Sequence, residues 1–140
     1  LISAPGATRQ VNGKTYRGVV YLIFGGPHLR PGNPCNRLPN SATNNAFDLS
    51  LVGTETLPGI VFHGRFNEST DPEELNATLE TVCGLGDIDG DGFDDIAIGA
   101  PKVDFVFPAP PENQRRVDAG EVYIIYGSNY ESNTLPPCPP

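Results

Sequence analysis

Gly86-Asp87-Ile88-Asp89-Gly90-Asp91-Gly92-Phe93-Asp94-Asp95-Ile96-Ala97-Ile98-Gly99-Ala100-Pro101 is the stretch that decides the fold. Five of the chain's nine Asp residues fall between positions 87 and 95, with no Lys or Arg among them. Like charge that dense opposes folding unless a cation or solvent relieves it. Hard cations such as calcium take about six to eight oxygen ligands, so several carboxylates must converge on one point. Alternate residues of a tight loop do this. Asp87, Asp89 and Asp91 can offer side chains, Phe93 its backbone carbonyl, and Asp95 the closing carboxylate, while Asp94 points away. Gly90 and Gly92 permit the sharp turning, since glycine tolerates positive φ. The competing reading is a solvated acidic turn with no metal. No His stands nearby and only Cys83 could offer sulfur, so thiolate and imidazole metals are disfavoured.

The residues after the loop separate it from a helix-flanked calcium hand. That motif needs a bidentate Glu at its twelfth position, where this chain has Ile98. Ile96-Ala97-Ile98 is instead a short β-forming run ended by Gly99 and Pro101. The acidic loop is expected to join two strands.

Working outward, the surrounding sequence repeats. Ile2-Ser3-Ala4-Pro5 recurs as Ile98-Gly99-Ala100-Pro101, an offset of 96 residues. Gly18-Val19-Val20-Tyr21-Leu22-Ile23-Phe24-Gly25 recurs as Gly120-Glu121-Val122-Tyr123-Ile124-Ile125-Tyr126-Gly127, an offset of 102. Two blocks in one order indicate an internal duplication. Strands are expected at residues 19–24, 60–63, 82–85, 96–98 and 122–126, with residues 1–2 the truncated partner of 96–98. Residues 26–45 and 105–116 read as long surface loops rich in Pro, Asn and Gly. Thr70-Asp71-Pro72-Glu73 resembles a helix start, and Leu75, Leu79 and Val82 follow at helical spacing. A short helix is therefore expected within 69–82, and a disordered Pro-rich tail over 135–140.

Composition agrees with a β-rich, loop-rich chain. The 16 Gly and 15 Pro residues make 31 of 140, about 22%, too many breakers for a helical bundle. No apolar run approaches the roughly 20 residues of a membrane span. Nine basic against 17 acidic residues give a net charge of −8, the wrong sign for nucleic-acid binding. Sequons at Asn67 and Asn76 are compatible with secretion. The start, Leu1-Ile2-Ser3-Ala4-Pro5, has neither the basic nor the long apolar region of a signal peptide, and the chain reads as beginning inside a longer protein.

His28 and His63 have no carboxylate or serine spacing that suggests a catalytic pair, and Ser50 and Ser69 lack a nucleophile-elbow setting. No catalytic residue is assigned. Cys35 and Cys138 follow Gly25 and Gly127 by ten and eleven residues, equivalent places in the two copies. If each copy holds one bridge, Cys138 pairs with Cys83 and Cys35 is left free; the alternative is unpaired cysteines, with Cys83 buried in a strand.

The run from Gly86 to Pro101, followed by Gly120-Glu121-Val122-Tyr123, resembles an FG-GAP repeat, the unit of the seven-bladed β-propeller of integrin α subunits and of bacterial secreted proteins. Phe47-Asp48-Leu49-Ser50, Gly53-Thr54 and residues 60–64 resemble the spacer between such repeats. The Phe-Gly pair that opens the family pattern is missing, and Thr78-Leu79 stands in its place. The resemblance implies an all-β chain of propeller blades, one and a half to two antiparallel four-stranded sheets with long Pro/Gly-rich insertions. Residues 1–68 would be the later part of one blade with its inter-repeat loop. Residues 69–134 would be a second repeat with the calcium loop, and 135–140 the tail. It also implies a calcium-binding adhesion or ligand-binding module of a secreted or cell-surface glycoprotein. Its partners would be a protein or glycan at the propeller loops and the remaining blades of the parent protein, with no nucleic acid and no membrane span. The alternative is the propeller region of a secreted hydrolase of the glycosylphosphatidylinositol-phospholipase type.

Overall fold

The computed structural model describes residues 1–26, 29–30, 48–64, 79–106 and 115–129. They form eight strands: β1 (Ile2–Val11), β2 (Lys14–Ile23), β3 (Gly59–His63), β4 (Thr81–Gly86), β5 (Asp95–Ala100), β6 (Phe105–Val106), β7 (Arg115–Arg116) and β8 (Glu121–Ile125). β1-β2-β3 and β4-β5-β8 are three-stranded sheets, and β6-β7 is a two-stranded pair. Leu1–Val20 and Phe62–Asn129 make up one compact unit, and the described part of Tyr21–Val61 belongs to a second.

In the second sheet both pairings are antiparallel. Val82 faces Ile98 and Gly84 faces Ile96 between β4 and β5, while Ile98 faces Tyr123 and Ala100 faces Glu121 between β5 and β8. The register shifts between Gly84 and Gly86, where Leu85 is the extra residue of a β-bulge. That bulge sits immediately before the acidic loop. In the first sheet, β3 runs antiparallel to β2: Phe24 N–H donates to the Pro58 carbonyl at 3.0 Å, and Gly64 N–H to the Gly18 carbonyl at 3.3 Å.

Two expectations from the sequence need correction. β1 and β2 are each ten residues long, far beyond the short strands expected at 1–2 and 19–24. The cause is Asn12-Gly13, with φ of 52° and 75°, a two-residue turn whose twist matches that of paired strands. Pro5 is tolerated because β1 lies at the edge of its sheet, where a missing donor costs least. The second correction concerns 105–116. Its ends are not loop but the β6–β7 pair, with Phe105 opposite Arg116 and Val106 opposite Arg115. Gly120 N–H to the Val103 carbonyl at 2.9 Å and Asp118 N–H to the Asp104 carboxylate at 2.8 Å continue the arm toward β8.

The expected helix fares differently at its two ends. Residues 69–78 lie outside the described residues, but Leu79 and Glu80 are not helical and Val82 is in β4. Here strand pairing wins over the helical spacing: Glu80 N–H donates to the Gly99 carbonyl at 2.9 Å, extending the β4–β5 ladder backward. Residues 31–45, the tail 135–140, His28, Cys35, Cys138, Asn67 and Asn76 lie outside the described residues. Cys83 carries a free, exposed thiol, 3.1 Å from the Gly84 carbonyl, and is not buried as a strand position suggested.

The core of the first unit is built from Val20, Leu79, Ile98, Ala100 and Val103, with Phe62, Val82, Ile96 and Ile125 packed against it. Burying each large aliphatic here stabilises the fold by about 1.5–3 kcal/mol. Ser3 adds a polar tie, its hydroxyl donating to the Glu80 carbonyl at 2.7 Å. The exposed Lys102–Glu80 ion pair at 3.1 Å adds little. In the second unit, Asp48 accepts the Ser50 N–H at 2.9 Å and caps a 3-10 turn at Leu49–Leu51, next to buried Val52 and Leu57. The bonds from Ser50, side chain and then backbone, hold the Asp48 carboxyl below its ordinary pKa. No helix among the described residues is long and apolar enough to cross a membrane.

Candidate metal centre

The acidic loop links β4 to β5 and is folded by its own carboxylates. Asp87 Oδ1 accepts the N–H groups of Gly90 at 2.6 Å and Asp91 at 3.1 Å, and Oδ2 accepts that of Gly92 at 2.8 Å. Asp89 accepts the Asp91 N–H at 3.2 Å, and Asp91 accepts the Phe93 N–H at 2.9 Å. Gly90 and Gly92, at φ of 80° and 93°, occupy the left-handed region that side chains avoid. The glycines bend the backbone, and the carboxylates gather the amides that bending turns inward.

Asp95, the first residue of β5, differs from the rest. It is 0% exposed, the one buried charged residue among those described. Its Oδ2 accepts the Ile88 N–H at 2.9 Å and its Oδ1 the Gly127 N–H at 2.7 Å. A buried carboxylate persists only when such donors replace water.

Asp87, Asp89 and Asp95 each place a carboxylate oxygen within 4.8 Å of the others. Asp91 is not in that cluster; its Oδ1 is engaged by Phe93 N–H. Phe93 itself is partly exposed, and Asp94 approaches Gly127 through its backbone oxygen. The Asp89 carboxyl is held above its ordinary pKa of 3.8, first by desolvation in the loop and then by repulsion from Asp91, Asp95 and Asp87, against the opposing Asp91 N–H bond. An all-oxygen, all-carboxylate donor set with unrelieved mutual repulsion fits a hard divalent cation. The amide of Gly127 is the part of this arrangement that spacing around the loop could not reveal.

His63 takes no part in the loop. Its ring lies 5.3 Å from that of Tyr16, and Nδ1 is buried without a hydrogen-bond partner. Burial, and then the charge of Arg9, lower its pKa below 6.5.

The FG-GAP family model, described as an FG-GAP repeat, matches residues 80–125, from just before β4 through the acidic loop to the end of β8. Residues 80–125 are an FG-GAP repeat. The acidic loop is thus the first connection of the FG-GAP repeat, and β4, β5 and β8 are its sheet strands. The two three-stranded sheets make the described residues all-β, consistent with the blades of a propeller, the fold to which the FG-GAP repeat belongs. Integrin alpha-6 of Gallus gallus is 38% identical over 74 residues, which cover 49% of this chain. The chain spans only 6% of that relative's length. No solved structure matches.

Proposed function

We propose that this chain is a segment of the ligand-binding propeller of a secreted or cell-surface adhesion protein, with calcium as a structural ion. The ion would be held by Asp87, Asp89, Asp91, the Phe93 carbonyl and Asp95. The observation that carries the reading is the convergence of Asp87, Asp89 and Asp95 carboxylates within 4.8 Å inside an FG-GAP repeat. Calcium would supply the positive charge that cancels repulsion across the β4–β5 connection. The chain's own residues do the rest: Gly90 and Gly92 shape the loop, and backbone amides aim the carboxylates. Residues 1–68 would close one blade and 69–134 open the next, so further blades of the parent protein are the required neighbours. Likeness to an integrin α chain supports an extracellular setting and a protein or glycan ligand at the propeller loops. The likeness to an integrin α chain is what favours a binding role. Titration calorimetry with calcium tests the central step, paired with melting in calcium and in chelator. A chain with no binding heat and one melting temperature in both buffers would falsify it.

A further inference from the structure

The chain leaving β8 returns to the acidic loop. Gly127 N–H donates to Asp95 Oδ1 at 2.7 Å across 32 residues of sequence, and Ile88 N–H takes the other carboxylate oxygen at 2.9 Å. The approach is close. A Cβ at position 127 would lie 2.5 Å from the Asp94 carbonyl oxygen and 2.8 Å from Phe93 Cβ, distances that real Cβ atoms do not show.

The duplication supplies an equivalent glycine for comparison. Gly25 holds the same place in the first copy, which carries no acidic loop in this sequence, and a Cβ there would meet nothing within 4 Å.

We infer that Gly127 is a positioning residue of the metal centre: its amide and its bare Cα fix the Asp95 carboxylate, and so couple cation binding to the path of the chain after β8. This rests on the calcium reading above. A ligating carboxylate is aimed by the hydrogen bonds behind it, and loss of such a partner typically costs roughly 10–100-fold in metal affinity. A methyl group at 127 would push the β8 exit away from Asp94, lengthen the bond to Asp95 and release that carboxylate to turn. Coupling of this kind is reciprocal. A bound cation would hold the Gly127 amide in place, and whatever displaces the chain after β8 would loosen the cation.

The test is calcium titration of the full chain, of Gly127→Ala and of Gly25→Ala, with hydrogen exchange followed at the Gly127 amide of the unaltered chain. Gly127→Ala is expected to weaken calcium binding roughly tenfold or more, while Gly25→Ala leaves it unchanged. Calcium is expected to slow exchange at Gly127. Equal affinities in Gly127→Ala and the unaltered chain would overturn the inference while leaving the calcium reading intact. Should Gly127→Ala not fold, exchange in the unaltered chain decides: protection at Gly127 indifferent to calcium overturns the coupling. An unaltered chain that binds no calcium removes the calcium reading and this inference together.

Discussion

Val20 and Val122 occupy the same place in the two copies of the duplicated block, yet Val20 is 0% exposed and Val122 is 71% exposed. The same contrast runs along the strand. Ile124 and Tyr126 are exposed, while Leu22 and Phe24, their equivalents, are half-buried. Val20 is buried in one core cluster with Leu79, Ile98, Ala100 and Val103. The equivalent side chains of β8 have no such cover.

That asymmetry predicts self-association. An apolar strand face without a neighbour, at the edge of its sheet, offers both contact area and unpaired backbone groups. Sedimentation of the chain alone should show oligomers or aggregates even with calcium present. Val122→Lys combined with Ile124→Lys should shift the distribution toward monomer. A compact, cooperatively melting monomer before any substitution would show that other parts of the chain already cap this face.

The loop predicts unequal effects of neighbouring carboxylates. Asp89→Ala removes a member of the Asp87, Asp89 and Asp95 cluster, whereas Asp94 is not part of it. Calcium affinity should fall on the order of tenfold or more in Asp89→Ala and much less in Asp94→Ala. Indistinguishable titrations would mean that the ligand register is displaced. Protons should compete with the ion as well, since Asp89 holds its proton at higher pH than an ordinary carboxylate. Affinity should therefore drop as acid titrates this residue, and the drop should be smaller in Asp89→Ala.

His63 predicts a second pH dependence, distinct from that of the loop. Its folded-state pKa is depressed by burial and by Arg9, so below the ordinary 6.5 the unfolded chain binds a proton that the folded chain refuses. The stability contributed by this residue is thus present above 6.5 and is lost as pH falls toward the lowered folded value. Urea midpoints compared across that window should fall with acidification, and His63→Phe should flatten the slope. A slope unaltered by the substitution would assign the effect to the carboxylates.

Packing predicts the largest loss at Ile98, buried at the centre of the core cluster and paired to Val82 and Tyr123. Ile98→Ala should destabilise the first unit by about 2–5 kcal/mol, through lost burial and the cavity left behind. Ile88→Ala, at an exposed loop position, should stay within about 0.5 kcal/mol. Denaturant titration of both variants at fixed calcium separates them.

The strands and the acidic loop were legible in the sequence because each carries a local signature. β3, β4, β5 and β8 fall within two residues of their apolar, Gly-bounded runs. What escaped lies where the chain is neither apolar nor local. The outer halves of β1 and β2 carry Thr8, Gln10, Lys14 and Arg17, and only the Asn12-Gly13 turn betrays the pairing. Leu79 fits a helical spacing with Leu75 and Val82, but its burial is decided by β5 and β2, which sequence spacing cannot see. The Gly127–Asp95 bond joins residues 32 apart and leaves no periodic trace.

The amides that already grip Asp87 and Asp95 bear on time as well as affinity. A loop that had to fold around its ion would make capture wait on the chain. Here the amides of Gly90, Asp91 and Gly92 donate to Asp87, and that of Ile88 to Asp95. If those bonds also form without the ion, uptake would be set by stripping water from the cation rather than by ordering the loop. Rapid mixing should then show a single fast phase on calcium addition, and a slower uptake of magnesium, which gives up its water reluctantly. A site with those rates follows the surrounding calcium concentration without lag.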